Sequence, residues 1–216
     1  CRQPPRKKCC AVAMAYGALL YGNTFEHREI RLVTASEDFA ELLPRLFKRA
    51  FNLGFDELPP PGARGKRRFL ITDTEKIRAV FRAFDMEPED TLALHINLGI
   101  LESDCCRASF VRGAFLAGGS VTDPMKSYHL ELVTAHASVG RELGSLLYEL
   151  GFESGQARRG ANQVTYFKQS EAIADFLTVI GAPVAALDVM SAKVERDMRN
   201  EINRKVNCDT ANADKT

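Results

Sequence analysis

Leu130, Leu132 and Thr134 alternate with Glu131, Val133 and Ala135. A period of two of this kind predicts a strand with one buried face, over about 128–134. Before it, Cys105–Ser120 reads CCRASFVRGAFLAGGS, small and apolar enough for a closely packed helix over about 103–117. A short strand at about 119–122 lies between the two. After the strand comes a helix at about 137–150, where Leu150-Gly151 suggests a glycine C-cap. Ser154–Arg159, Gly160 and Gln163–Phe167 then give strand, turn, strand. A last helix opens at Ser170, a good N-cap residue beside Glu171.

The same order occurs earlier in the chain. Cys9–Thr24, CCAVAMAYGALLYGNT, matches Cys105–Ser120 at an offset of 96, with identities at Cys9/Cys105, Cys10/Cys106, Gly17/Gly113, Ala18/Ala114, Leu20/Leu116 and Gly22/Gly118. Leu32–Ala35 recurs as Leu132–Ala135, Leu53-Gly54-Phe55 as Leu150-Gly151-Phe152, and Glu75 and Ile77 as Glu171 and Ile173. Four matches in one order at nearly one offset mean a duplicated unit of roughly a hundred residues. The first copy therefore predicts a helix at 9–21, strands at 22–26 and 28–34, and a helix at 36–52 that Pro44 should kink or shorten. It also predicts a glycine C-cap at Gly54, a hairpin with a longer turn through Pro59-Pro60-Pro61-Gly62, and a helix capped by Thr74 beside Glu75.

The pattern changes after Gly181. Val184–Asn207 reads as one or two helices, and the polar tail CDTANADKT is expected to be loose. The expected organisation is a first repeat at 1–90, a second at 91–182 and linker helices at 183–216. The fold class is α+β, with helix–strand–strand–helix–strand–strand–helix occurring twice in pseudo-twofold relation.

Composition narrows the function classes. With 29 Lys+Arg against 28 Asp+Glu, the net charge is +1, too small for a strongly basic protein that coats DNA, though local basic patches remain open. No apolar run reaches the roughly 18–20 residues that cross a bilayer. Arg2, Arg6, Lys7 and Lys8 precede the apolar stretch Ala11–Leu20, as in a signal peptide. Because that stretch recurs internally, it is expected to be a core helix. A start at Cys1 suggests a trimmed or incomplete N-terminus. Of six cysteines, Cys9-Cys10 and Cys105-Cys106 are adjacent pairs, and no Cys-x-x-Cys occurs. Sequence neighbours on a helix point in different directions, so buried reduced thiols are expected and a joint metal site is the alternative. A reduced cytoplasmic protein follows.

The segment Val111–Ser120, VRGAFLAGGS, resembles the LAGLIDADG motif helix of homing endonucleases. Cys105–Thr134, ADFLTVIGA at Ala174–Ala182 and MRNEINRKVNCDTANADKT at Met198–Thr216 resemble the WhiA family, bacterial regulators of sporulation and cell division. The resemblance covers nearly the whole chain, most closely its second half. It implies two LAGLIDADG-like units with their motif helices packed together, and a helix-turn-helix DNA-binding domain beyond the end of this chain. Homing endonucleases place one carboxylate at the end of each motif helix, where the pair holds divalent metals that activate water. Alignment puts those positions at Gly118 and, through the repeat, Gly22. Glu26, Glu102, Asp104 and Asp123 are the carboxylates considered; Asp123 falls in a turn past the expected place and Asp104 at the far end of the helix, neither with an obvious partner in the other copy, and surface or capping roles are expected for all four. No catalytic residue, metal or cofactor is therefore expected, and the chain should not be an enzyme.

His27, His95, His129 and His136 show no metal-ligand spacing and are expected as exposed strand histidines. The glycines of LAGGS lack the lysine of a phosphate loop. Two basic clusters fall at related places in the repeat, on or beside the hairpins: Arg64, Lys66, Arg67 and Arg68, and Arg158 with Arg159. In the resembled fold this position borders the DNA-facing sheet, so these six residues are the candidate phosphate contacts, with a merely solvated hairpin tip as the alternative. Arg196, Asn200, Asn203 and Asn207 share one helical face that could read bases, but the acids Glu195, Asp197 and Glu201 favour a linker packed on its own domain. The expected function is a DNA-binding transcription regulator of sporulation or cell division, non-cleaving, cytoplasmic and nucleoid-associated. Its expected partners are duplex DNA, bound weakly without the helix-turn-helix domain, and a protein partner in transcription regulation, with no membrane contact. The rivals are a protein-interaction module without DNA contact and, more remotely, a metal-dependent endonuclease.

Overall fold

A computed structural model describes residues 3–88 and 93–213, with side chains through 208. The boundary expected between 90 and 91, and the last three residues of the tail, lie outside the described residues.

The first copy runs α1 (Lys8–Leu20), β1 (Thr24–Phe25), β2 (Ile30–Thr34), α2 (Glu37–Phe51), β3 (Arg67–Ile71) and α3 (Thr74–Arg82). A single 3-10 turn, Leu98–Ile100, precedes the second copy. That copy runs α4 (Asp104–Gly118), β4 (Gly119–Val121), β5 (Leu130–Thr134), α5 (Ala137–Glu149), β6 (Gly155–Arg159), β7 (Asn162–Phe167) and α6 (Ser170–Val179). A long helix, α7 (Pro183–Ala213), closes the described chain.

Both sheets are antiparallel, ordered β1-β2-β3 and β4-β5-β7-β6. They differ at one edge. The counterpart of β6 in the first copy shrinks to a single bridge, Glu57 to Leu70, with the Asp56 amide also donating to Leu70 O at 2.8 Å. The expected first-copy hairpin therefore lacks a full outer strand. Pro59, Pro60 and Pro61 follow at once, and prolines have no N–H with which to extend a ladder.

Helices α1 and α4 pack against each other more extensively than any other two elements. Helix α1 is sealed almost all round: Ala11, Ala13, Met14, Ala15, Tyr16, Ala18 and Leu20 are fully buried. A helix buried on every side carries no polar stripe, which is why its sequence shows composition rather than periodicity. Strand β5 ties into it across the repeats, since the buried Thr134 hydroxyl donates to Leu20 O at 2.9 Å and accepts from the His136 amide at 3.2 Å. Thr134→Val keeps the shape but strands that carbonyl, so urea unfolding should show a loss of about 1–2 kcal/mol at unchanged m-value. An unshifted midpoint would mean the bond contributes nothing net.

Several local expectations are corrected. Pro44 sits inside an unbroken α2, where it removes a single intrahelical hydrogen bond while Phe39, Leu42, Leu43, Leu46 and Phe47 anchor the helix in the core. The left-handed C-cap of α2 is Asn52, φ 59°, rather than Gly54; in the second copy Gly151 does take a positive φ. The cap of α3 is Asp73, whose carboxylate accepts from the Lys76 amide at 2.9 Å, and Thr74 is the first helical residue. Ser170 likewise begins α6 instead of capping it, and Gln169 holds the cap position. Helix α7 is one helix, and it carries the tail as far as Ala213. Once a helix exists, each added residue gains a hydrogen bond without a new nucleation cost, and Ala211 and Ala213 favour propagation. None of the four histidines lies within a strand.

Candidate nucleic-acid interface

The pseudo-twofold contact has glycine at its centre. A Cβ on Gly17 would overlap the carbonyl oxygen of Phe110 and lie 2.8 Å from the Ala114 nitrogen. A Cβ on Gly113 would overlap Met14 O and lie 2.8 Å from the Met14 carbonyl carbon. Each glycine thus lets the partner backbone fill the space of a side chain, at equivalent places in the two copies.

The far ends of these helices are where paired acids would have to stand for cleavage. A Cβ on Gly118 would meet Val133 O at 2.6 Å and Tyr21 O at 3.0 Å. One on Gly22 would overlap the Leu32 side chain and lie 2.9 Å from Ala18 O. Tyr21 seals the same end, and burial pushes its phenol above the ordinary tyrosine range. None of the four acids considered from the sequence stands at an equivalent place beside both glycines, and Asp104 lies at the other end of α4. Asp123 is exposed and accepts from the Met125 amide at 3.0 Å within its turn. Asp104, in the first turn of α4, pairs with Arg107 at 3.4 Å. Glu26 and Glu102 are exposed.

Helices cover one face of each sheet, and strand register decides which residues lie on the other. Arg31 pairs in register with Leu70 and Val33 with Arg68, which puts Arg31 and Arg68 on the face turned away from α2. Arg67 has the opposite parity, beside Thr34. Its guanidinium is tucked against the start of α2, 2.8 Å from Glu37, with only 12% of the side chain exposed. Arg68 is exposed and 2.8 Å from Glu57. In the second sheet Arg159 shares the outer face with Glu131, and their ion pair spans 2.9 Å. The Arg159 guanidinium, opposed in part by burial and helped by His129, holds the Glu131 carboxyl below its usual range. Arg158 is exposed on the other side of β6 and donates to Gly160 O at 3.0 Å. Arg64 and Lys66 are exposed in the loop before β3 and form no ion pair with a described residue.

Three of the six candidate cations are therefore matched by carboxylates. Arg31, which sequence reasoning missed, joins the outer face of the first sheet with 42% of its side chain exposed, 3.3 Å from Glu29 and 2.9 Å from the Thr24 hydroxyl. The alternation of Ile30 and Leu32 around it was the signal that could have found it. Its repeat equivalent is Glu131, so the two outer faces carry opposite charge at corresponding places.

On α7, Ala186, Val189 and Ala192 are buried, and the helix packs against α6. Lys193 pairs with Glu171. Arg196 donates to Lys126 O at 3.0 Å and lies 4.6 Å above the Tyr128 ring. Its first half is thus docked on the second copy. Every described side chain from 197 to 208 is exposed.

At the opposite end of the motif helices the cysteine pairs meet. The Cys10 and Cys105 sulfurs are 3.4 Å apart and those of Cys10 and Cys106 3.9 Å. Burial, aided by neighbouring thiols, pushes Cys10 up to about 12 and also raises Cys106, whereas the Ser103 hydroxyl and Cys10 draw Cys105 down.

Residues 107–199 match the family model described as the WhiA LAGLIDADG-like domain. A probable cell division protein WhiA of Ruminiclostridium cellulolyticum is 31% identical over 224 residues, covering 100% of this chain and 72% of that protein. The chain belongs to the WhiA family. A WhiA relative named likewise, from Bacillus cytotoxicus, is 34% identical over 97% of this chain and 69% of its own. The crystal structure of full-length WhiA from Thermatoga maritima superposes with a TM-score of 0.73 at 21% identity, covering 99% of this chain and 69% of that one. The homing endonuclease I-DmoI, solved in complex with DNA and Mn, gives 0.51 at 12% identity over 80% of this chain and 98% of that one. The two-copy helix–sheet arrangement of this WhiA family member is thus the LAGLIDADG-like fold. Among the described residues no helix is long and apolar enough to cross a membrane.

Proposed function

We propose that the chain is the non-cleaving scaffold of a DNA-binding transcription regulator acting in sporulation or cell division, in which the outer sheet faces give the duplex a secondary, salt-sensitive contact. The observation that carries the non-cleaving reading is the crowding at Gly22 and Gly118: a Cβ at Gly118 would meet the backbone oxygens of Val133 and Tyr21, and one at Gly22 the Leu32 side chain and Ala18 O. A duplex contact is supported by the exposed cations Arg64, Lys66, Arg68, Arg158 and Arg159 beside the sheets, and by the fold shared with a nuclease solved on DNA. Matching carboxylates at Glu57 and Glu131 keep that contact weak. The expected organisation, repeats at 1–90 and 91–182 followed by a linker at 183–216, fits this role.

Labelled duplex DNA titrated with the chain across a salt series tests the reading. Binding should weaken as salt rises, because each neutralised phosphate adds about −0.9 to the slope of log K against log salt. Replacing Arg64, Lys66, Arg67, Arg68, Arg158 and Arg159 together by alanine should lower low-salt affinity by about tenfold or more. Absence of binding at low salt would remove the sheets from DNA recognition.

A second reading has its own support. Val184, Leu187, Met190, Val194, Met198, Ile202 and Val206 recur at helical spacing along α7 and are 37–71% exposed. A stripe of that length at steps of three and four residues suits a protein partner. Loss of DNA binding in the alanine variant with transcription control intact would favour it.

A further inference from the structure

We propose that the four thiols of Cys9, Cys10, Cys105 and Cys106 form a structural zinc site that joins the two repeats at the pseudo-twofold axis. The Cys9, Cys10 and Cys106 sulfurs already lie within 4.8 Å of one another. Cys105 stands outside that trio but is 3.4 Å from Cys10, and its exposed side chain must turn toward the trio to supply the fourth ligand. In a tetrahedral thiolate site with Zn–S near 2.3 Å, neighbouring sulfurs are about 3.8 Å apart. The Cys10–Cys105 and Cys10–Cys106 separations, 3.4 Å and 3.9 Å, bracket that edge with no ion present to draw them in.

Symmetry supplies a second argument. Cys9 and Cys105 are equivalent positions of the repeat, as are Cys10 and Cys106. Two pairs related by a twofold axis can stand at the corners of a tetrahedron, whose own symmetry includes such axes. Adjacent cysteines on one helix would ordinarily diverge. Here the close packing of α1 on α4 brings both pairs to one place, so each helix supplies one buried and one exposed thiol.

The surroundings suit a charged thiolate site. All four sulfurs belong to the first turns of α1 and α4, whose N-terminal ends favour negative charge. Lys7 and Lys8 are exposed beside them. On binding, four S–H bonds release four protons to water, and Zn2+ with four thiolates leaves a net charge of −2 against these positive ends. All-sulfur ligation selects a soft, thiophilic cation. A cleft lined by Lys8, Cys9, Val12, Ile100, Ser103 and Cys106 opens on the cluster and gives the ion a path in. Four protein sulfurs leave no open coordination position, so the site is structural rather than catalytic.

Cobalt titration of the reduced, metal-stripped chain tests the proposal. The expected result is a thiolate-to-cobalt charge-transfer band and the intense visible bands of tetrahedral Co2+, saturating at one ion per chain and abolished by one equivalent of Zn2+. The double variant Cys9→Ser, Cys105→Ser changes only the exposed thiols and should keep the native circular dichroism spectrum. Its affinity for Co2+ should fall at least a hundredfold. The proposal is overturned if a folded chain with its thiols free gives no charge-transfer band, or if the double variant binds as before. Recovery of a Cys10–Cys105 disulfide as the resting form of chain purified under reducing conditions would also overturn it.

Discussion

Gly17→Ala and Gly113→Ala should each lower the stability of the chain by about 3 kcal/mol, the upper part of the range for overpacking a tight core. Alanine is ordinarily the better helix residue by about 1 kcal/mol, so an effect of the opposite sign isolates the packing. The new methyl at either site meets main chain, Phe110 O or Met14 O, and a main-chain oxygen cannot move aside as a side-chain tip can. The helices must separate, and the buried contacts of Met14, Tyr16, Phe110 and Ala114 loosen with them. The two sites share one interface, so the double variant should depart from additivity: once one methyl has forced the helices apart, the second costs less. Urea unfolding of the four-member cycle measures this. A stabilised single variant would mean that the helix pair is free to spread, contrary to the close approach described above.

Restoring acids at the helix ends should fail as a route to cleavage. Gly118→Asp places its Cβ against Val133 O and Tyr21 O, and its carboxylate then stands among carbonyl oxygens that repel it. We expect a loss of about 3 kcal/mol for Gly118→Asp. Gly22→Asp should cost less, because its nearest obstacle is the Leu32 side chain rather than main chain. The pair of substitutions should show no magnesium-dependent nicking of supercoiled plasmid. A double variant that stays folded and nicks DNA would show that space for two metal-holding carboxylates persists, and the non-cleaving reading would be lost.

Much of the fold was legible because duplication lets one copy be read against the other. The helix of the first copy has little amphipathic signal, yet its match to Cys105–Ser120 was enough to place it. What escaped depends on partners distant in sequence. Neighbouring strand residues must face opposite ways, but which of Arg67 and Arg68 turns outward depends on the pairing of β2 with β3, and the two were grouped together. Three prolines looked like a longer turn, and their real effect was to cut an edge strand down to one bridge. The polar tail read as loose because its residues have nothing to bury. As far as Ala213 they continue a helix nucleated against α6, which requires no burial of their own. Buried thiols were expected of the cysteine pairs, with a joint site as the alternative; that both pairs meet depends on the packing of α1 on α4, which brings Cys10 to Cys105 and Cys106.

The unequal sheets have one more effect. A structure with true twofold symmetry presents a ligand with two indistinguishable orientations. Here one side has three strands and Arg31 outward, and the other has four strands and Glu131 in the corresponding place. The internal seam kept its likeness while the outer surface diverged, so anything laid across both sheets meets a left end and a right end. The platform therefore has a polarity that a true twofold would lack.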